Sequence, residues 1–298
     1  MSKVIHIHKN DVHCTMTTFF YCNFAALYAA QQQGHEGYIN WFRHKGFVQS
    51  YDDAEMYAKY PNAYSWWFKQ PMFEEGEIPP MDETWTWEID GEKMQGHSLM
   101  SQPLSVIKDF YKKNLIFNDI LNERGEALVR KYGIDFAKTI GTCWRGSDIF
   151  LESLNGNQGR KYTPIEYYFE WIDKALEAIP DALIACTSEE SGILEPLFKR
   201  YGERAFLIEE FYQVPLHSKH NPERVSPMSG FERGLQPALM VWLFSKTAWL
   251  IKNRASTSAV ASWLSDGNIV SINHDERLGF PPHMEGVEYK GQVYPINV

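Results

Sequence analysis

Asp135-Phe-Ala-Lys-Thr-Ile-Gly-Thr-Cys-Trp-Arg-Gly-Ser-Asp148 is the stretch on which the reading of the fold turns. Residues 136–144 read as a strand, and the strand ends in a polar loop built around an arginine. A strand that closes on polar residues and leads to a helix marks a βα unit. Downstream, Thr163-Pro-Ile-Glu166 carries helix-start chemistry: Thr163 as N-cap, Pro164 at the first helical position, Glu166 at the third. That helix runs to residue 179. Residues 182–187 form a short apolar strand of the kind buried in a parallel sheet. The alternation then continues, with helix 191–201, strand 205–209, helix 231–243, strand 248–251, helix 256–264 and strand 269–272. A Pro-rich tail follows.

Upstream, the chain opens with strand 3–8, a loop, and an apolar helix over 17–33 that Gly34 closes. Residues 38–42 read as the next strand, completing a βαβ unit. Residues 60–100 differ in character, with Pro, Glu and Gly around Trp66, Trp67, Trp85 and Trp87. They read as long loops and a hairpin, and the tryptophans as either an acceptor-binding surface or packing under loops. Residues 101–132 read as one helix, with Pro103 in its first turn and Gly133 at its end. The expected architecture is α/β, with two Rossmann-like domains, 1–134 and 135–298, whose parallel sheets face each other across a cleft.

Composition narrows the function. A length of 298 residues exceeds what one compact core needs, and 44% apolar with 22% charged residues is ordinary for a globular protein. The aromatic content (10 Trp, 16 Tyr, 18 Phe) suits either a ring-rich core or a pocket for a base or a sugar. A net charge of −9 argues against a general nucleic-acid partner, since phosphate contacts need a basic face. Cys14, Cys22, Cys143 and Cys186 are scattered, without zinc spacing or a disulfide pattern, which fits a reduced cytoplasmic setting. The start shows no apolar signal core. The longest apolar stretch, 235–251, is interrupted by Gln236, Pro237, Ser245 and Lys246, so a buried helix is expected and no membrane span.

Ligands of open α/β sheets sit beyond the carboxyl ends of the strands. Three segments place polar groups there: Thr142–Asp148, Thr187–Glu190 and Asn253–Ser258. Arg145 can grip a diphosphate with its guanidinium fork; its alternative is an ion pair with Asp148. Ser256, Thr257 and Ser258 form an N-cap signal whose geometry also makes an anion site. Glu152 and Glu189 can act on an acceptor hydroxyl or on ribose, or be solvated loop charges. The sequence has no P-loop, no HExxH, no GxSxG elbow and no DxD run that would chelate a metal–nucleotide complex. Metal-independent chemistry is the expectation.

At these segments the sequence resembles a known family, the bacterial nodulation and animal core α1,6-fucosyltransferases. Thr139-Ile-Gly-Thr-Cys-Trp-Arg-Gly-Ser-Asp148 is similar to the family's I-G-V-H-x-R-x-x-D/N segment. Lys161-Tyr-Thr-Pro-Ile-Glu-Tyr-Tyr168 resembles F-H-P-I-E-E-Y, and Ala182–Glu190 resembles V-F-L-A-T-D-D. Arg233-Gly234, Leu243-Phe-Ser-Lys246 and the run from Trp249 to Ser258 resemble R-G…F-L-S-x-A-D-F-L-V…S-S. The resemblance is close in order and spacing over 136–262 and faint over 1–135. It implies a GT-B architecture, a GDP-sugar donor (GDP-fucose foremost), a glycan acceptor, inversion at the sugar carbon, and no cofactor or metal. By the same resemblance Arg145 holds the donor diphosphate; Asp148 is a further catalytic candidate. Ser188, Glu189, Arg233, Ser256, Thr257 and Ser258 line the nucleotide, and Glu152 is the candidate base. His13, Trp66 and Trp67 are placed on the acceptor side. Three positions depart from the pattern: Cys143 stands for its His, Gly146 for the second Arg of the animal enzymes, and Ser188 for the first Asp of the pair. A catalytically inactive nucleotide- or sugar-binding protein of the same fold is the alternative.

Overall fold

The computed structural model describes residues 2–8, 16–41, 53–74, 77–86, 99, 102–145, 165–215, 226–253, 255–272, 286–289 and 292–294. The chain divides into two compact units, Met1–Arg124 with Pro227–Leu239 and Gly125–Ser226 with Met240–Val298.

In the first unit β1 (Val4–His8), α1 (Met16–Gln32) and β2 (Glu36–Ile39) form the expected βαβ unit, β1 and β2 running parallel. The helix stops where Gly34 takes up left-handed backbone at φ +74°. The His35 amide then reaches back to the Ala30 carbonyl at 2.9 Å, a C-terminal closure that glycine permits. From Asn23 to Ala30 every residue of α1 is buried. Leu27 lies so close over Gly37 that a Cβ there would fall 2.4 Å from Leu27 Cδ1. After α2 (Ala54–Lys59) and a 3₁₀ turn (Ala63–Trp66) come β3 (Phe68–Lys69) and β4 (Glu83–Thr86). β4 pairs parallel to β1 on the side opposite β2, giving the order β2-β1-β4.

The single helix expected over 101–132 is two: α3 (Leu104–Asn114) and α4 (Asp119–Tyr132), with β5 (Ile116–Phe117) between them. The break has two causes. β5 pairs antiparallel with β3, a long-range demand that helical periodicity does not reveal. Asn118 then starts α4, its Oδ1 accepting from the Leu121 amide at 2.9 Å while its Nδ2 donates to the Ser65 carbonyl at 3.0 Å.

The tryptophan cluster belongs to the core of this unit. Trp66 and Trp67 are fully buried and Trp85 nearly so. Trp66 donates its indole N–H to the Tyr60 carbonyl, and Trp67 stacks on Phe231 at 5.9 Å and 15°. Of the two readings left open by the sequence, packing is what these side chains do; neither Trp66 nor Trp67 presents a surface to an acceptor. Trp87 lies outside the described residues.

In the second unit a 3₁₀ turn (Phe136–Lys138), closed by the Asp135 carboxylate on the Ala137 amide, stands where the strand was expected to begin. The strand itself, β6, is Thr139–Trp144. Then follow α5 (Glu166–Ala178), β7 (Leu183–Ser188), α6 (Glu195–Tyr201), β8 (Ala205–Leu207), α7 (Gly230–Phe244, whose residues up to Leu239 count with the first unit), β9 (Trp249–Asn253), α8 (Ser256–Leu264) and β10 (Asn268–Ile272). The expected cap of α5 at Thr163 and Pro164 falls outside the described residues. Strands β10-β9-β6-β7-β8 lie side by side in that order, all parallel. The order reverses between β6 and β9, which is the doubly wound arrangement. The Pro-rich tail, in which no strand was read, adds β11 (Gly286–Tyr289) and β12 (Gln292–Tyr294), antiparallel, on the β10 edge. Among the described residues no helix is long and apolar enough to cross a membrane.

Candidate functional site

Side chains alternate between the two faces of a strand. On one face of the large sheet, Ile140 and Trp144 join Ile184, Trp249, Ile251 and Val270 in a core closed by Ile172 and Ala175 of α5 and Leu197 of α6. The intervening positions lie on the other face, and toward the carboxyl ends they are polar. Cys143 sits in register with Thr187 of β7 and Lys252 of β9. Its thiol is fully enclosed at this polar end of the sheet. Burial pushes that thiol up to about 11, so Cys143 stays protonated at neutral pH and is no nucleophile.

Arg145 is the first residue beyond β6, at the point where the strand order reverses. Its backbone is fixed by Asn253, the last residue of β9. The Arg145 amide donates to Asn253 Oδ1 at 2.9 Å, and Asn253 Nδ2 donates back to the Arg145 carbonyl at 2.6 Å. This two-bond clasp ties the ends of the two strands that flank the switch point. The guanidinium, 15% exposed, places Nε 3.5 Å from Glu189 Oε2 of the loop after β7. Glu189 is thus the described ion-pair partner of Arg145, a pairing the sequence did not suggest; Asp148 lies outside the described residues.

The remaining expected residues are distributed as follows. Ser188 is buried, its hydroxyl accepting from the Glu190 amide at 3.0 Å and its carbonyl from Gln213 Nε2. That hydroxyl shapes the turn after β7. Ser256 and Thr257 open α8, but Ser256 is not its N-cap: Ala255 occupies that position and supplies no side-chain cap. Ser258 is buried, and its hydroxyl is shared between the carbonyls of Asn253 and Ala255. Arg233 is in α7 within the first unit's Pro227–Leu239 segment, its Nε donating to the Met228 carbonyl at 2.9 Å. Glu152 and His13 lie outside the described residues. Among the described residues no three His, Cys, Asp or Glu side chains gather as a metal set.

Two residues escaped the sequence reading. Asn253 was counted only as part of a polar segment, because its clasp on Arg145 spans 108 residues. Lys252 was overlooked, although a lone lysine in Trp249-Leu-Ile-Lys-Asn253 was the signal: the strand is buried at every position and Lys252 is 3% exposed.

No family profile matches the sequence, and no curated protein matches it. Solved structures do match. One is the NodZ α1,6-fucosyltransferase soaked with GDP-fucose, at TM-score 0.53 and 13% identity, covering 93% of this chain and 98% of that one. A second is POFUT1 in complex with GDP-fucose, at TM-score 0.53 and 9% identity, covering 91% and 98%. A third is an FUT1 variant of Arabidopsis thaliana in complex with GDP, at TM-score 0.50 and 11% identity, covering 99% and 76%. The fold expected from the sequence resemblance is the fold found. At such identities the likeness speaks for the fold alone.

Proposed function

We propose that the chain is a glycosyltransferase that moves fucose, or a related sugar, from a GDP-sugar to a glycan hydroxyl. The reading is carried by Arg145, fixed by Asn253 at the switch point of a doubly wound sheet, in a fold shared with enzymes solved with GDP-fucose or GDP. In such sheets the ligand lies beyond the carboxyl ends at that point. In this reading residues 135–298 hold the donor and 1–134 serve the acceptor. Arg145 holds the diphosphate, and the amides at the start of α8 with Ser256 and Thr257 add to the cradle. Glu189, Ser188 and Arg233 belong to the nucleotide side. The hydroxyls of Ser188 and Ser258 act on the backbone, so they support the cradle from behind.

The reaction is a direct displacement with inversion. The acceptor oxygen forms its bond to the anomeric carbon as the bond to the diphosphate breaks, and the acceptor proton passes to a carboxylate. Stabilising the departing charge is the large electrostatic contribution. General base assistance adds about 10²–10⁴-fold; Glu152 is assigned that role, with Asp148 and His13 as the next candidates. Glu152→Gln should bind GDP like the parent and transfer at least about a hundredfold more slowly; near-parent transfer would remove Glu152 from the mechanism. The sequence lacks a DxD run, so activity should persist in excess EDTA.

The deciding experiment is calorimetric titration with GDP and UDP, followed by donor turnover on a panel of nucleotide sugars. GDP should bind more tightly than UDP, and Arg145→Lys should lose most activity, because an ammonium cannot reproduce the guanidinium fork. Tighter UDP binding, or normal turnover of Arg145→Lys, would sink the assignment. GDP-sugar binding without turnover would favour the inactive binding protein, a reading that rests on Cys143 and Ser188 standing at motif positions.

A further inference from the structure

We propose that Tyr168 is a positioning residue for Arg145: its buried hydroxyl holds the end of β6 in the place from which the arginine meets the donor diphosphate. The proposal rests on the donor reading above and deepens it. It begins where two strands part. β6 stays in register with β7 as far as Trp144 and Ser188, but with β9 only as far as Cys143 and Lys252. Asn253, the next residue of β9, is paired instead with Ile272 of β10. The register of β6 and β9 thus ends two residues before Arg145, at the point where the strand order reverses. Such a fork is where open sheets receive their ligands.

At the fork the end of β6 is tied by side chains. Asn253 clasps the Arg145 amide and carbonyl from β9. Tyr168, in the first turn of α5, donates its hydroxyl proton to the Cys143 carbonyl at 2.9 Å, two residues before Arg145. Tyr168 is 0% exposed and belongs to the core cluster that holds Ile140, Trp144 and Ile251. Burial raises its phenol well above the ordinary range, so the hydroxyl keeps its proton and serves as a donor.

A buried phenol commonly finds a carbonyl, and that alone would make Tyr168 an ordinary core residue. Its choice of partner sets it apart. The carbonyl it holds belongs to the peptide joining Cys143 to Trp144, and the amide held by Asn253 belongs to the next peptide, joining Trp144 to Arg145. Each peptide is a rigid plane, so two consecutive planes are pinned from different elements, a helix and a strand. The residue between them, Trp144, is itself buried. The root of the Arg145 side chain is therefore fixed before any ligand arrives. A guanidinium needs that, because its bidentate grip on a phosphate is directional and a displacement of about 1 Å can cost about 10²-fold. Removing the Tyr168 hydroxyl frees the first plane while removing no strand pairing.

The test is a double-mutant cycle on the full chain. GDP and guanosine are titrated calorimetrically into the parent, Tyr168→Phe, Arg145→Lys and the double variant, with thermal unfolding of each. Tyr168→Phe keeps the ring and removes only the hydroxyl. It should lose about tenfold in GDP affinity and hold its guanosine affinity. The same change made on Arg145→Lys should cost less than about twofold, because residues that act through one another do not add. An equal loss in both backgrounds overturns the proposal, since it reports a core residue acting on the site as a whole. Equal loss of GDP and guanosine overturns it for the same reason. A folded Tyr168→Phe that binds GDP as the parent does also overturns it and leaves the donor reading intact. A parent that binds no GDP overturns both. Should Tyr168→Phe not fold, 3-fluorotyrosine at position 168 keeps the shape and strengthens the donor. GDP affinity must then shift in the parent background and not in Arg145→Lys, and any other pattern overturns the proposal.

Discussion

The carboxyl ends of the two parallel sheets use polar residues in opposite ways. In the second unit the groups at the strand ends are charged: Arg145, Glu189 and Lys252, with Asn253 holding the backbone. In the first unit the described polar groups around the end of β2 are neutral and turned inward. Asn62 accepts from the amides of Trp41 and Tyr64 and donates to the Ile39 carbonyl and the Tyr38 hydroxyl. Gln70 accepts from the Ile39 amide and donates to its carbonyl, as a neighbouring strand would. Two side-chain amides thus close the exposed edge of β2, which would otherwise invite pairing with another chain. His6 has both ring nitrogens engaged, by Asn40 and by the Pro79 carbonyl. The same βα topology can commit its buried polar groups to its own backbone or hold charge ready for a ligand, and only the second arrangement marks a site for an anion.

The largest effect expected from that contrast is at Trp67. It is fully buried against Phe231, and truncating a buried tryptophan costs about 3–5 kcal/mol. Trp67→Ala should lower the denaturation midpoint strongly while GDP, which the proposed donor reading assigns to the other unit, binds the remaining folded protein as before. Parent-like stability together with a raised acceptor KM would restore the acceptor-surface reading and break the contrast.

A smaller loss is expected at Asn253, where structure and ligand meet. Asn253→Ala removes both bonds of the clasp and leaves the Arg145 amide and carbonyl to find other partners, at about 1–3 kcal/mol. Unlike Trp67→Ala, it should also weaken GDP by tenfold or more, because Arg145 is no longer held at the strand end. Unchanged GDP affinity in a destabilised Asn253→Ala would show that the clasp serves the sheet alone.

What could be read from sequence follows from which signals are local. Helix 256–264 emerged with the bounds of α8, and the Gly34 stop was legible, because apolar periodicity and turn chemistry act over a few residues. Arg145 was visible as a polar group at a strand end. Its partners were not: Asn253 and Glu189 are brought to it by strand order, which alternation alone does not specify. The split of 101–132 into two helices was hidden for the same reason, since β5 exists only through β3. The strands at 286–289 and 292–294 were missed because Pro281-Pro282 and Pro295 made the tail look irregular, although Gly-Val-Glu-Tyr and Gln-Val-Tyr flank a two-residue Lys-Gly link.

The smallest effect is a pH dependence confined to the first unit. His6 is 4% exposed on the central strand β1. Asn40 Nδ2 can only donate, so His6 Nδ1 accepts and Nε2 carries the proton given to the Pro79 carbonyl. The ring is therefore held neutral, and burial lowers its tendency to bind a second proton. Its other ring neighbours are Tyr38 at 5.0 Å and His8 at 6.3 Å. Protonation would turn the Asn40 bond into a clash of two donors. Because the folded pKa lies below the unfolded value of about 6.5, the unfolded chain binds the proton first as pH falls. The stability that neutral His6 supports is complete above about pH 6.5 and declines as the pH drops through and below that value, by at most about 1.4 kcal/mol per pH unit. Urea denaturation between pH 7.5 and 5.5 should show this loss, and His6→Gln, which keeps an amide able to bond the same partners, should flatten it. An equally steep decline in His6→Gln would place the titrating group elsewhere and leave His6 a spectator in the amide network.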